Sequence, residues 1–168
     1  MQTAIVPGSF DPVTLGHVDV ISRASRIFDR VVVCVVANAN KKSFLTLDER
    51  REHVSRVTAQ LPNVEVDTWN GLLVDYADRF ENPIVVRGLR AVSDFEYEFM
   101  MALTNKKLNS RVETVFLASD ERYTYLSSSA VREIALFGGE FKQFVPPELY
   151  EELRELIEER MRNGKSGA

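Results

Sequence analysis

What this chain lacks narrows its function before any motif is considered. It has one cysteine in 168 residues, so no internal disulfide can form. Cys34 sits inside the apolar run Val31-Val-Val-Cys-Val-Val36, without a basic or histidine neighbour in sequence. That placement reads as a buried, inert thiol, and the cysteine usage suits a reducing cytoplasm. No apolar run approaches the length needed to span a membrane. Met1 and Gln2 lead straight into a strand-like run, which gives no signal or transit peptide. Excess positive charge is missing too: the formal net charge is −4, against the basic face expected of a general nucleic-acid binder. A local basic site for a small phosphorylated ligand stays compatible with that balance.

Familiar phosphate and metal signatures are also absent. No Gly-x-Gly-x-x-Gly follows the first strand-like run, which counts against a dinucleotide-binding dehydrogenase, and no Gly-x-x-x-x-Gly-Lys-Ser/Thr loop supports a P-loop NTPase. No His/Cys cluster has zinc spacing, so no protein-bound metal is expected. Ser9 has no evident histidine–carboxylate relay for nucleophilic catalysis.

What is present is a regular alternation of periods. Strand-like runs occur at Thr3–Val6, Val31–Val36, Val64–Val66, Ile84–Val86 and Thr114–Ala118. Several are continuous rather than alternating, as parallel strands covered on both faces require. Between them lie helical patterns. Val18, Ile21, Ser25 and Phe28 form one narrow stripe; Thr46-Leu-Asp-Glu49 reads as a capping box, and Ser93-Asp-Phe-Glu96 repeats it before Phe99, Met100 and Leu103. A shorter helix falls within Gly71–Phe80, ended by Asn82-Pro83, and another runs from near Ser129 to a C-cap at Gly138-Gly139. A last helix follows Pro146-Pro147 and uses Leu149, Leu153, Leu156 and Met161, before a frayed tail at 163–168. Strand–helix alternation throughout predicts one α/β domain over residues 1–168: a doubly wound, Rossmann-like parallel sheet with helices on both faces and a C-terminal helix.

In such sheets ligands bind beyond the carboxyl ends of the strands. There the sequence places Gly8-Ser-Phe-Asp-Pro12 and Gly16-His17 after strand one, Lys41-Lys42 after strand two, Arg87-Gly-Leu-Arg90 after strand four and Ser127-Ser-Ser129 after strand five. Small residues, hydroxyls and bases gather on one rim of an acidic chain, which points to a polyphosphate site. Each element also has a plainer reading. Pro7–His17 could be a turn with Thr14 as a cap and His17 on the surface. The arginines could pair with Asp94 or Glu96, Lys41 and Lys42 could be solvated, His53 reads as a surface residue of a charged helix face, and Trp69 reads as packing.

Taken together, Gly8-Ser-Phe-Asp-Pro12, Thr14-Leu-Gly-His17, Arg87-Gly-Leu-Arg-Ala-Val92, Asp94-Phe-Glu-Tyr-Glu98 and Ser127-Ser-Ser129 resemble the bacterial phosphopantetheine adenylyltransferases, from Ala4 to about Pro147. Thr-x-Gly-His alone suggests only the wider nucleotidyltransferase superfamily; Arg-Gly-Leu-Arg followed by Asp-Phe-Glu-Tyr-Glu is far more specific. The resemblance implies that ATP and 4′-phosphopantetheine react reversibly, without a covalent intermediate, to give dephospho-coenzyme A and pyrophosphate, the penultimate step of coenzyme A synthesis. It implies His17 as transition-state stabiliser, with Lys41, Arg87 and Arg90 assisting. It assigns Ser9, Lys41, Leu73 and Arg87 to phosphopantetheine. To ATP it assigns Ser9, Phe10 and His17, Gly88, Leu89 and Arg90, Glu98, and the run Tyr123, Thr124, Tyr125, Leu126, Ser127, Ser128 and Ser129. It further implies Mg²⁺ accompanying ATP, a cytoplasmic homohexamer and coenzyme A as feedback inhibitor, with neither nucleic acid nor membrane as partner. Many members have threonine where this chain has Ser9; the hydroxyl is kept. The alternatives are another small-molecule nucleotidyltransferase, such as a glycerol-3-phosphate cytidylyltransferase or a nicotinamide-mononucleotide adenylyltransferase, or a nucleotide-binding module without catalysis.

Overall fold

Five parallel strands in the order β3-β2-β1-β4-β5 organise the computed structural model, which describes residues 2–37 and 43–165. They are β1 (Thr3–Gly8), β2 (Arg30–Val36), β3 (Val64–Trp69), β4 (Pro83–Leu89) and β5 (Glu113–Ala118). The helices are α1 (Leu15–Ile27), α2 (Leu47–Thr58), α3 (Leu73–Ala77), α4 (Val92–Leu108), α5 (Ser128–Leu136) and α6 (Tyr150–Lys165). The expected doubly wound α/β class is what the chain adopts.

The strand order reverses between β1 and β4. These two pair only from Thr3–Ile5 against Pro83–Val85. Beyond Ile5, β1 continues on β2 through Gly8, while β4 continues on β5 through Leu89. The strands therefore part at their carboxyl ends and open a crevice at the topological switch point, where α/β sheets take ligands.

Strand side chains alternate between faces. Ala4, Val6, Val33 and Val35 face the larger core, built with α1, α2, α5 and α6. Ile5, Val32, Cys34 and Val85 face a smaller one closed by Val74, Tyr76 and Ala77 of α3. Cys34 is fully buried there, and burial pushes its thiol up to about 12.

Four local expectations change. His53 is 1% exposed, not on the surface: Arg50, His53, Val54 and Val57 form the buried face of α2. Arg50 can be buried because its guanidinium donates to backbone carbonyls: Ser9 O at 2.8 Å, Val36 O at 3.1 Å and Thr46 O at 3.2 Å. His53 Nε2 lies 3.1 Å from Glu152 Oε1 of α6. Helix α4 starts at Val92 with Ala91 as N-cap and no side-chain cap, so Ser93 is inside the helix; the turn leaving β4 sets its start. Phe99, Met100 and Leu103 of α4 are exposed at 43%, 60% and 49%. Helix α6 runs on to Lys165, through part of the stretch expected to fray, and 166–168 lie outside the described residues. The Thr46–Glu49 capping box is present as read, and Gly138 closes α5 at φ 76°, a left-handed conformation glycine adopts without strain.

Candidate active site

The parted ends of β1 and β4 floor two adjoining hollows, of about 360 Å³ and about 580 Å³. Pro7, Gly8, Ser9, Arg87 and Glu98 line both and form the wall between them. The smaller hollow continues over α1 and α5, whose first turns both open into it through Gly16 and His17 and through Ser127–Ser129. Two helix starts with free N–H groups at one place suit a chain of phosphates. The larger hollow runs toward Leu73 of α3 and Met101 and Asn105 of α4, and has more apolar wall.

His17 is fixed by the residue that starts its helix. Thr14 is the N-cap of α1, and its hydroxyl accepts from His17 N at 3.4 Å. In return the Thr14 backbone N–H donates to His17 Nδ1 at 3.0 Å, and the Thr14 hydroxyl lies 3.0 Å from the same nitrogen. A backbone N–H can only donate, so Nδ1 must accept and the ring proton resides on Nε2. Phe10 packs its ring edge-on against the imidazole, with centroids 5.0 Å apart. Burial, and then the positive charges of Arg90 and Arg87, lower the His17 pKa to about 4. The residue is thus a neutral, oriented donor through Nε2 at ordinary pH.

Phe10 holds this position at φ 48°, with 1% of its surface exposed, folded back over Gly8. A Cβ on Gly8 would fall 2.9 Å from two of the Phe10 ring carbons, which is why that position is glycine.

The arginines of β4 and its exit are already engaged. Arg87 Nε and Nη2 donate to the two oxygens of Glu98 at 2.7 and 2.6 Å, and Nη1 donates to Pro7 O at 2.6 Å. Arg90 pairs with Asp94 at 2.9 Å and donates to Leu126 O at 2.7 Å. The plainer reading of paired arginines thus holds: Asp94 is one of the two partners anticipated, while Arg87 pairs with Glu98 rather than with Glu96.

The smaller hollow gathers Ser9, Phe10, His17, Arg87, Gly88, Arg90, Glu98, Tyr123, Leu126 and Ser127–Ser129. Leu73 lines the larger hollow with Ser9 and Arg87. Leu89, Thr124 and Tyr125 stand outside both linings: Leu89 O accepts from Ser119 N, Thr124 Oγ1 donates to Glu121 O, and Tyr125 is 70% exposed against Phe144. Lys41 lies outside the described residues. Trp69 packs against Tyr76 and donates to Leu72 O, in keeping with a packing role.

Sequence reasoning missed three polar residues in and behind the cleft. Asp11, 4% exposed, accepts from Phe44 N at 2.8 Å and Leu45 N at 2.7 Å. Arg132 of α5 lines the cleft, bonds Asp11 O and lies 3.3 Å from Ser129 Oγ. Its signal was available: it follows Ser128 and Ser129 by four and three residues, on the same helix face. Arg50, described above, joins the ends of β1 and β2 and gave no sequence signal beyond one base among several.

A family model described as cytidylyltransferase-like matches residues 5–134. A phosphopantetheine adenylyltransferase of Clostridium tetani is 50% identical over 153 residues, covering 91% of this chain and 96% of its own. That of Caldanaerobacter subterraneus subsp. tengcongensis is 53% identical over 155 residues, 92% of this chain and 97% of its own. Among solved structures, a chain from Vibrio parahaemolyticus assigned as a nicotinate-nucleotide adenylyltransferase matches with a TM-score of 0.70. It covers 94% of this chain and 95% of its own at 19% identity, a likeness of fold.

Proposed function

The chain belongs to the phosphopantetheine adenylyltransferase family, and from that membership we infer the chemistry of its cleft: reversible transfer of an adenylyl group from ATP to 4′-phosphopantetheine, releasing pyrophosphate and dephospho-coenzyme A. The observation that supports placing the reaction here is the neutral, Thr14-oriented His17 beside Arg87 and two helix starts, where β1 and β4 part.

The phosphate of the acceptor attacks the α-phosphorus of ATP in line, the new P–O bond forms, and the bond to the β-phosphate oxygen breaks. That nucleophile arrives ionised, so no general base is required. The protein supplies alignment and compensation for charge that builds on the α-phosphate oxygens. His17 Nε2–H donates to them, the starts of α1 and α5 receive the β- and γ-phosphates together with Arg90, and Arg87 with the Ser9 hydroxyl receives the acceptor's phosphate. The larger, less polar hollow that reaches Leu73 suits the pantetheine arm. Lys41 belongs to the same reading as a further charge for the acceptor phosphate.

Magnesium enters with ATP as part of the substrate. In this reading the ion is bound chiefly by phosphate oxygens and water; among the described residues no group of three or more His, Cys, Asp or Glu could hold a metal ion. A homohexamer in the cytoplasm completes the reading, and the exposed apolar surface of α4 supports self-association. Coenzyme A, which repeats the product's groups, would compete for the same cleft as a feedback inhibitor. The test is pyrophosphate release from ATP, magnesium and 4′-phosphopantetheine, with His17→Ala as control. Release that is absent with this acceptor, or unchanged in the variant, would overturn the assignment.

A further inference from the structure

The wall between the two hollows is an ion pair, and its geometry has a consequence for the acceptor. A guanidinium presents five N–H groups, and the edge made by Nε and Nη2 matches the two oxygens of a carboxylate or phosphate. In Arg87 that edge is filled by Glu98 at 2.7 and 2.6 Å, while Nη1 is held by Pro7 O at 2.6 Å. Glu98 comes from α4 and Arg87 from β4, so the contact bridges two elements rather than stiffening one. The Glu98 side chain is 13% exposed, and among the described residues Arg87 is its sole hydrogen-bonding partner. Arg90 differs: its partner Asp94 is four residues away, the second contact is 3.4 Å, and the pair is more exposed.

We propose that Glu98 is an internal stand-in for the acceptor's phosphate, occupying the forked edge of Arg87 until that phosphate displaces it. This rests on the reading of the cleft as a transfer site for a phosphorylated acceptor. Three observations support exchange over addition. The acceptor hollow and the nucleotide hollow share this pair as their partition, and the acceptor's phosphate must cross that line to reach the α-phosphorus. With the edge occupied, an incoming phosphate finds only single N–H groups on Arg87, not the fork. And a carboxylate left facing two anionic substrates repels them, unless it moves as they bind. The exchange also confers selectivity. A phosphate with close to two charges and three oxygens can outcompete a carboxylate for the fork, whereas a neutral acceptor gains nothing by entering. The pair keeps a half-buried guanidinium compensated.

The test measures binding of inorganic phosphate, 4′-phosphopantetheine and unphosphorylated pantetheine to wild type and to Glu98→Gln by calorimetry, with Glu98→Ala as a second variant should the first fold poorly. Both phosphate-bearing probes are expected to bind about tenfold tighter to the variants, the order of a close charge pair removed, with pantetheine unchanged. Adding Arg87→Ala to Glu98→Gln should abolish the gain. Weaker or unchanged phosphate binding in folded Glu98 variants would overturn the proposal and make Glu98 a support that orients Arg87. A gain that persists without Arg87 would overturn it as well. Inorganic phosphate separates this outcome from failure of the functional reading: if wild type releases no pyrophosphate with phosphopantetheine, that reading falls, while the phosphate comparison still decides what Glu98 does.

Discussion

Thr14 grips His17 Nδ1 twice, through its backbone N–H and its hydroxyl, each at 3.0 Å. The cap of α1 and the tautomer of its histidine are therefore one device. Thr14→Ala keeps the backbone donor and loses the hydroxyl, so the tautomer should survive with a looser ring. One hydrogen bond of about 1 kcal/mol corresponds to roughly a fivefold fall in kcat, and the lost cap costs about 1 kcal/mol of stability. Thr14→Ser should restore both. Urea denaturation and steady-state kinetics on the two variants would check this; equal loss in both would separate the hydroxyl from catalysis.

Removing the donor itself should do more. His17→Ala is expected to lower kcat by about a hundredfold or more, in the range of a lost transition-state donor, with a much smaller change in ATP affinity. A large rise in the dissociation constant at unchanged turnover would confine His17 to ground-state binding.

The pH behaviour of His17 has a definite sign. Its folded pKa is depressed to about 4 from 6.5. Below pH 6.5 the unfolded chain takes up a proton that the folded one refuses, so stability falls as pH drops from about 6.5 to about 4. Above 6.5 this residue contributes no pH dependence. His17→Gln should flatten that part of the acid limb. By NMR the imidazole should stay neutral with its proton on Nε2 down to about pH 4, and bound nucleotide should raise the pKa by offsetting Arg90 and Arg87.

Gly8→Ala should disturb His17 through Phe10. The new methyl meets the Phe10 ring at 2.9 Å, and that ring lies edge-on to the imidazole. Overpacking at such a site costs about 1–3 kcal/mol. Adding Phe10→Leu should recover part of the loss in melting temperature but not the activity, because the ring beside His17 is gone.

Arg160 of α6 reaches the segment behind the cleft from the far end of the chain. It bonds Phe44 O, lies over the Phe44 ring at 5.1 Å, and its Nη2 donates to both carboxylate oxygens of Glu49 at 2.8 and 2.7 Å. Arg160→Ala is expected to destabilise by about 1 kcal/mol, a shift of about 2–4 °C. It should also speed hydrogen exchange at Phe44 and Leu45, whose N–H groups Asp11 holds. Unchanged exchange there would separate α6 from that segment.

The strands were legible because continuous Val- and Ile-rich runs leave few other readings, and rim positions then followed from topology. Local side-chain partners such as Thr46 with Glu49 and Arg90 with Asp94 could be read; partners distant in sequence could not. Ser93-Asp-Phe-Glu96 has the spacing of a cap, yet the turn out of β4 starts the helix at Val92. Arg50 and His53 sit among charges in sequence, and only the carbonyls of Ser9 and Val36 and the carboxylate of Glu152 explain their burial. Glu98 opposite Arg87 depends on where α4 crosses β4, which no local pattern encodes.

Cys34 offers a practical opening. With its thiol sealed under α3 and held protonated across the working pH range, the native chain is blank to maleimides and other thiol-directed labels. A cysteine placed at an exposed position such as Leu72 or Tyr125 would be the sole reactive site. Dyes or spin labels there could report on the surroundings of the cleft without first stripping the background.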